Sequence, residues 1–376
     1  MKNEKIQEIQ QIIGPDFELF HKSRFGNYLV FKVGVHTVSK AQISEIIGQL
    51  IENGYYPSFD QRDEHFYLHL TYEKSAAKKS GIWVNAVLFL LTVLTTMMAG
   101  AVLVGKNYFV EFSDIFYGWK YSLAVLAILT AHEFGHYFAA QYHKIKATLP
   151  YYIPLPIPGI HFGTLGAFIK MKSPLQSRIA LLDVGAAGPL AGFVVSMFIL
   201  ILGYWQLPDK QGIFQIIDTI HPPNAEGEVL NLVLGKSLLF SFFNDLIGDG
   251  RLPMNEVYHF PLIFAGWIGL LVTAINLIPI GQLDGGHILY ALVERKARLL
   301  GILAFALLLI LNFVLIFQYL SFIWVLWIIL IFVLIGFRHP PTVDDKLKLT
   351  PKRTAIGWIC LLLFILCFPP LPLYIY

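Results

Sequence analysis

The sequence predicts a mostly α-helical, polytopic membrane protein with about seven transmembrane helices and a re-entrant β-like segment, preceded by a small soluble α+β module. Three observations support this class. Of 376 residues, 56% are hydrophobic and only 14% are charged, unlike soluble globular proteins. Apolar segments of about 20 residues recur along the chain. Lys and Arg cluster in alternate connections. The net charge of +3 is too small to indicate nucleic-acid binding.

The soluble module is predicted over residues 1–78. Apolar residues recur with helical spacing at 5–13 and 39–53, and they alternate as in half-buried strands at 27–33 and 65–72. These patterns predict a small α+β fold. The sequence identifies no partner for it.

The membrane domain is predicted over residues 81–376, as apolar segments that are each close to the length of a spanning helix. The segments lie at 81–104, 117–142, 179–204, 259–291, 299–318, 321–337 and 354–369. Only a short break at 318–321 separates the fifth and sixth segments, so these are expected to form a tight helical hairpin.

The distribution of Lys and Arg predicts the orientation. Lys74, Lys78 and Lys79 precede the first apolar segment, which places the N-terminal module in the cytosol. Further basic residues follow the second, fourth and sixth segments, whereas the opposite connections carry far fewer. We expect a multi-pass protein of a bacterial cytoplasmic membrane.

Two apolar stretches are too irregular to be spanning helices. Residues 150–158 contain four prolines, and residues 162–169 are apolar and punctuated by glycine. Irregular backbone cannot face lipid, so this stretch must pack against helices or line a cavity. Residues 229–247 are apolar but interrupted by Gly235 and Lys236, which predicts an interfacial or re-entrant helix.

The pentapeptide at residues 132–136, HEFGH, lies within the second apolar segment. On a helix, His132 and His136 share one face and can hold a zinc ion, while Glu133 can act as general base. The alternative is a chance match of three residues. Ionisable side chains are costly at membrane depth, so the metal interpretation is favoured.

Asp284 is the candidate third ligand, since it is the only formally charged residue between Pro261 and Leu292. A catalytic zinc usually has three protein ligands and one open position. The second and fourth segments should both run from outside to inside, with both motifs in their cytosolic parts. His132, His136 and Asp284 are therefore expected at similar depth, where they could converge.

The combination of these motifs resembles the site-2 protease family of intramembrane zinc metalloproteases. HEFGH is followed downstream by Asn-x-x-Pro-x-x-x-x-Asp-Gly-Gly at 276–286. The sequence AAGPLAG at 186–192 and the Gly-x-x-Gly piece at 163–166 are also similar to the family. The pattern is most similar to the branch named for ethylene-dependent gravitropism-deficient and yellow-green plants. It covers the membrane part up to about residue 290 and leaves residues 1–78 uncovered.

The resemblance implies hydrolysis of peptide bonds in or near transmembrane segments of other proteins, with one zinc per chain. It assigns His132, His136 and Asp284 as ligands and Glu133 as the base. It gives Asn276 a role in positioning substrate or stabilising the oxyanion. Gly163 and Gly166 would belong to a strand edge that binds unwound substrate. The implied partners are transmembrane substrates and the lipid bilayer, and no nucleic acid.

The chain departs from the family pattern in three respects. Leu277 follows Asn276 where many members have proline. Neither a PDZ-like insertion between the motif-bearing segments nor a pair of C-terminal nucleotide-binding modules is recognisable in the sequence. The N-terminal module is therefore the remaining candidate for substrate recognition.

Two further interpretations concern polar and small residues of the third segment. Asp183 can orient a zinc-bound His through its second nitrogen, or it can anchor the helix start. Gly185, Gly188 and Gly192 indicate close helix packing.

The sequence is compatible with two other functions. A membrane metal transporter would also carry intramembrane His and Asp, but it would show repeats and polar residues strung along a pathway. A pseudoprotease that binds helices without cutting them would be expected to lack Glu133.

Overall fold

A computed structural model describes residues 2–13, 17–25, 28–35, 40–53, 55–62, 65–72, 81–156, 162–171, 177–221, 232–294, 296–319, 323–336 and 348–375. The chain divides into two compact units. One contains Met1–Gly81, Lys172–Arg178 and Pro341–Lys348, and the other contains the remaining residues.

The first unit combines two helices with a four-stranded sheet. Its elements are α1 (Lys2–Ile13), β1 (Phe17–Phe25), β2 (Tyr28–Val35), α2 (Lys40–Glu52), β3 (Tyr55–Arg62) and β4 (His65–Tyr72). The strand order is β1-β2-β4-β3, and all neighbours are antiparallel. Ile9, Ile13, Leu50 and Tyr55 are buried, and the Tyr55 hydroxyl donates to Glu8 over 3.1 Å.

Both helices and the two inner strands of this unit coincide with the predicted segments. The edge strands β1 and β3 were missed by the sequence prediction. Both contain charged residues, and β3 contains Pro57, which an edge strand tolerates because it needs fewer ladder donors.

The second unit is built mainly from helices. They are α3 (Ile82–Leu103), α4 (Trp119–Tyr142), α5 (Arg178–Trp205), α6 (Lys210–Ile220), α7 (Leu238–Leu246), α8 (Pro261–Asn276), α9 (Asp284–Val293), α10 (Lys296–Tyr319), α11 (Ile323–Leu330) and α12 (Pro351–Cys367). Its strands are β5 (Tyr151–Pro154), β6 (Thr164–Phe168), β7 (Leu232–Leu234) and β8 (Leu373–Ile375).

Four helical segments of the described chain are long and apolar enough to cross a membrane. They are Ile82–Leu103, Phe112–Tyr142, Arg178–Trp205 and Lys296–Tyr319; in the second, a 3₁₀ segment at Phe112–Gly118 runs into α4. Large side chains on α10, such as Leu307 and Phe317, are exposed, as expected for a helix solvated by lipid. The predicted total of about seven spans goes beyond these four.

The fourth predicted apolar segment, 259–291, is not a single helix. The helix α8 ends at Asn276 and α9 begins only at Asp284. Pro279 lacks a backbone N–H, and Gly281 has a φ of 57°, which favours glycine, so the helix cannot run through. The interruption places Asp284 in the first turn of α9.

The segment 229–247 also differs from its prediction as an interfacial or re-entrant helix. Its described part forms β7 and then α7, and the two are separated at Gly235. β7 pairs with β8 near the C-terminus, and a Cβ at Gly235 would lie 1.7 Å from the Leu371 carbonyl oxygen. The close contact of Gly235 with the segment before β8 therefore interrupts the predicted helix at this glycine.

The irregular stretch at 150–169 forms an antiparallel β-hairpin in its described part. Tyr151 pairs with Phe168 and Ile153 with Gly166, while residues 157–161 lie outside the described residues. The Thr95 hydroxyl of α3 donates to the Gly163 carbonyl over 2.7 Å. Helix side chains thus satisfy backbone groups of the hairpin, as apolar surroundings require. Its re-entry into a membrane stays a prediction.

Candidate metal centre

Three predicted metal ligands converge between α4 and the start of α9. His132 and His136 lie one turn apart on α4, and their Nε2 atoms are 3.1 Å from each other. The Asp284 Oδ2 atom lies 3.5 Å from His132 Nε2 and 3.3 Å from His136 Nε2. Both histidines are buried. Residues 152 positions apart along the chain (132 and 284) therefore present three ligand atoms to one point.

The spacing of these atoms fits a single zinc ion. Tetrahedral zinc with bonds of about 2.0–2.1 Å separates its ligand atoms by about 3.3–3.4 Å. The three separations of 3.1, 3.3 and 3.5 Å bracket that value. Three ligands leave one tetrahedral position, which is the arrangement of catalytic zinc sites.

The orientation of His136 is set by a backbone carbonyl of α5. His136 Nδ1 lies 2.8 Å from the Val184 oxygen. A carbonyl only accepts hydrogen bonds, so Nδ1 carries the proton and the Nε2 lone pair faces Asp284 and His132. This is the contact by which a protein commonly fixes a metal-binding histidine.

Asp183 does not orient a zinc-binding histidine, so that predicted alternative is wrong. Its Oδ2 lies 2.9 Å from His143 Nε2, and Arg353 donates to both of its carboxylate oxygens over 2.9–3.1 Å. These contacts tie the end of α4 and the start of α12 to α5. Asp183 therefore has the anchoring role that was the other alternative.

Small residues of α5 bring its backbone against the two histidines of the candidate centre. A Cβ at Gly188 would lie 2.1 Å from His136 Nε2, and one at Gly192 would lie 3.1 Å from the His132 Cβ. On the facing helix, a Cβ at Gly135 would lie 2.5 Å from the Ala187 carbonyl oxygen. The glycines predicted to allow close packing thus leave the space that the imidazoles occupy.

Glu133 is buried beside the three ligands, in the same turn of α4. The backbone of Ile169, which directly follows β6, lies near the Glu133 carboxylate. A second contact joins hairpin and helix, because the Tyr152 hydroxyl lies 2.8 Å from the Thr130 hydroxyl. The hairpin therefore ends beside the candidate base.

Asn276, the last residue of α8, also reaches this centre. Its Nδ2 lies 3.3 Å from His132 Nε2. The side-chain amide is thus close to the point at which the ligand atoms converge. Its role toward a substrate stays a prediction.

The two glycines predicted at a substrate-binding strand edge have different surroundings. A Cβ at Gly163 would lie 2.7 Å from the Thr95 carbonyl oxygen, so this glycine makes room for α3. Beside Gly166, a Cβ would have no atom within 4 Å. Open space thus lies on the side-chain face of the strand at Gly166, and packing on α3 accounts for Gly163 without a substrate.

Comparison with known proteins agrees with this geometry. The profile of peptidase family M50 matches residues 120–318, which contain all the residues of the candidate centre. The chain is 32% identical over 304 residues to a protein of Oryza sativa subsp. indica named "Probable zinc metalloprotease EGY2, chloroplastic", covering 77% of this chain and 50% of the relative.

Two proteins of Arabidopsis thaliana are also similar. "Probable zinc metalloprotease EGY2, chloroplastic" is 31% identical over 67% of this chain and 41% of its own length. "Probable zinc metalloprotease EGY1, chloroplastic" is 36% identical over 46% of this chain and 29% of its own length. The chain spans about half the length, or less, of these relatives. No solved structure matches. Because these relatives are chloroplast proteins, they do not support the predicted bacterial membrane.

Proposed function

Because the chain belongs to peptidase family M50, we propose that it is an intramembrane zinc endopeptidase that hydrolyses peptide bonds in or near transmembrane segments of other proteins. The observation that carries the proposal is the convergence of His132, His136 and Asp284 next to the buried carboxylate of Glu133. His₂-carboxylate sets of this kind hold catalytic zinc in metalloproteases.

Each residue has a chemical part in this proposal. The three ligands would hold a zinc ion, which would supply Lewis acidity and lower the pKa of a water molecule toward neutrality. Glu133 takes the proton of the attacking water and delivers it to the leaving amine. Asn276 offers an amide N–H to the oxyanion that develops on the scissile carbonyl. The buried surroundings strengthen both interactions, because little solvent screens them.

We test the assignment of the metal by removing it in two ways. The purified chain should lose cleavage of a single-span substrate on chelation and regain it when zinc is added. His132→Ala combined with His136→Ala should release about one equivalent of zinc and stop cleavage. His143→Asn, a change at the end of the same helix, should keep that zinc. A chain that cleaves at full rate after His132 and His136 are both replaced would contradict the proposal.

We further propose that the flank of β6 binds the substrate as an added strand. A peptide bond in a helix is shielded and must be extended before attack, and strand addition satisfies the freed backbone groups. Leu165 is 68% exposed, the face beside Gly166 is open, and among the described strands β6 is paired on one side only, with β5. Ile169, just after this strand, lies near Glu133, so an added strand would run toward the base.

Leu165→Pro should reduce cleavage about tenfold, because one or two backbone hydrogen bonds to the substrate, at about 1 kcal/mol each, are lost. The β5–β6 register shifts between Ile153 and Pro154, so Leu165 has no partner on β5 and the hairpin keeps its own pairs. The comparison is Leu165→Ala, which removes the same side chain and keeps the N–H. Initial rates and zinc content should be measured together.

Strand addition also predicts how cleavage depends on the helix stability of the substrate. Residues that destabilise the substrate helix should raise its cleavage by the wild-type chain, because unwinding is then less costly. Equal rates for Leu165→Pro and Leu165→Ala, with no response to substrate helicity, would rule out strand addition and leave the zinc assignment standing.

We also propose the finer topology. About seven spans follow if α8 with α9, α11 and α12 cross the membrane beside the four longest helical segments. The positions of Lys and Arg support a cytosolic location for residues 1–78 and for the metal centre. The N-terminal module is our candidate for substrate recognition.

A further inference from the structure

A second cluster of metal-ligand side chains lies away from the proposed active site. His221 follows the last residue of α6. Glu256 precedes a 3₁₀ turn that leads into α8, and His259 is the last residue of that turn. His221 Nε2 is 2.8 Å from His259 Nε2, and Glu256 Oε2 is 3.5 Å from His259 Nε2. Their ligand atoms all lie within 4.8 Å of one another.

We propose that His221, Glu256 and His259 form a second zinc-binding site, which fixes the start of α8 to the ends of α3 and α6. It goes beyond the proposed proteolytic function and does not depend on it.

The orientation of His259 favours metal binding. Its Nδ1 is hydrogen-bonded to the carbonyl oxygen of Leu103, the last residue of α3. The carbonyl can only accept, so Nδ1 carries the proton and Nε2 presents a lone pair to the cluster. The arrangement repeats that of His136 and Val184, in which a carbonyl from a neighbouring helix fixes the ring.

Glu256 provides an independent observation. Its Oε1 accepts from Asn255 Nδ2 over 2.9 Å, but its Oε2 is buried and accepts no hydrogen bond from the described residues. Leaving a carboxylate oxygen buried without a partner costs free energy. Without a metal, His221 can donate one N–H to His259, and Oε2 is still unsatisfied. One cation among the three atoms satisfies them together.

The donor set selects the class of metal. Two imidazoles and one carboxylate suit zinc, whereas Ca²⁺ and Mg²⁺ prefer sites made of oxygen ligands. His259 is buried and His221 and Glu256 are partly exposed, so an ion can enter from that side. Three ligands again leave one position for an exchangeable ligand.

The position of the cluster indicates a structural role. His259 precedes the first turn of α8, and Asn276 at the other end of α8 reaches the proposed active site. Pro261 to Asn276 spans about 22 Å along the helix axis. A metal at the start of α8 would therefore hold that helix and contact no substrate at the active site.

The test measures zinc in a chain that lacks the active-site ligands. The His132→Ala, His136→Ala chain should retain about one zinc, and adding Glu256→Gln should remove it. His221→Ala should act in the same way. Asp218→Asn, an exposed carboxylate three residues before His221, is the matched control and should retain the ion. Cobalt added to the apo form of the same chain should give visible bands of a tetrahedral site, which Glu256→Gln abolishes.

Stability provides a second readout. Chelation should lower the Tm of the His132→Ala, His136→Ala chain, and it should leave the Tm of the Glu256→Gln derivative unchanged. Glu256→Gln keeps the size of the side chain, so it carries the test if His221→Ala does not fold. Equal zinc content and equal cobalt spectra with and without Glu256→Gln would overturn the second site, whatever the proteolytic assay shows.

Discussion

Replacing Glu133 by Gln should abolish proteolysis and leave the zinc in place. The carboxylate is buried beside the ligand cluster without being one of the three converging ligands. Gln keeps the size and an accepting oxygen but cannot take a proton from water. Loss of a general base lowers rates by about 10²–10⁴-fold, so we expect at least that loss in turnover.

The measurement compares initial cleavage rates and zinc content in the same preparations. Glu111→Gln replaces an exposed carboxylate of the same unit and should change neither quantity. A Glu133→Gln chain that cleaves at the wild-type rate would place the chemistry elsewhere. Loss of zinc in that chain would instead show that Glu133 supports the metal centre. Full zinc with no cleavage is the result that separates an enzyme from a metal carrier.

The convergence of His132, His136 and Asp284 could be predicted because the placement of each rests on a local rule. Helical periodicity alone puts His132 and His136 on one face. Asp284 is conspicuous as a lone charge in an apolar stretch, since such a charge needs a partner. Their meeting required only that both motifs lie at the same depth, which the order of the apolar segments supplied.

Other features could not be predicted because they depend on backbone groups, which every residue has, or on local breaks that an average over the segment hides. The group that orients His136 is the Val184 carbonyl, and every residue carries a carbonyl, so nothing in the sequence marks this one. The sequence drew attention to Asp183 instead, one position away, because its side chain is charged. Hydropathy likewise averaged over Pro279 and Gly281 and concealed the interruption between α8 and α9.

The second cluster was missed for a related reason. Glu256 and His259 are three residues apart, a spacing that local sequence can show. His221 lies 38 positions before His259, however, and no periodicity links them. Only the packing of α6 against the turn before α8 brings the two imidazoles together.

Gly188→Ala should remove the active-site zinc nearly as completely as loss of His136 itself. A methyl group there would lie 2.1 Å from His136 Nε2 and 2.4 Å from its Cδ2, well inside van der Waals contact. The ring cannot retreat easily, because Nδ1 is held by Val184 and the α4 and α5 backbones already touch at Gly135. We therefore expect the imidazole to leave its ligating position, and about one zinc and all measurable cleavage to be lost.

Gly192→Ala is the matched comparison on the same helix. Its methyl group would lie 3.1 Å from the His132 Cβ and 3.2 Å from its Nδ1, a contact that a shift of a few tenths of an ångström relieves. Zinc content should thus fall far more for Gly188→Ala than for Gly192→Ala, at equal helix content by circular dichroism. Equal zinc in both variants would mean that α5 can move away from α4. That result would show that close packing of α5 on α4 does not position His136.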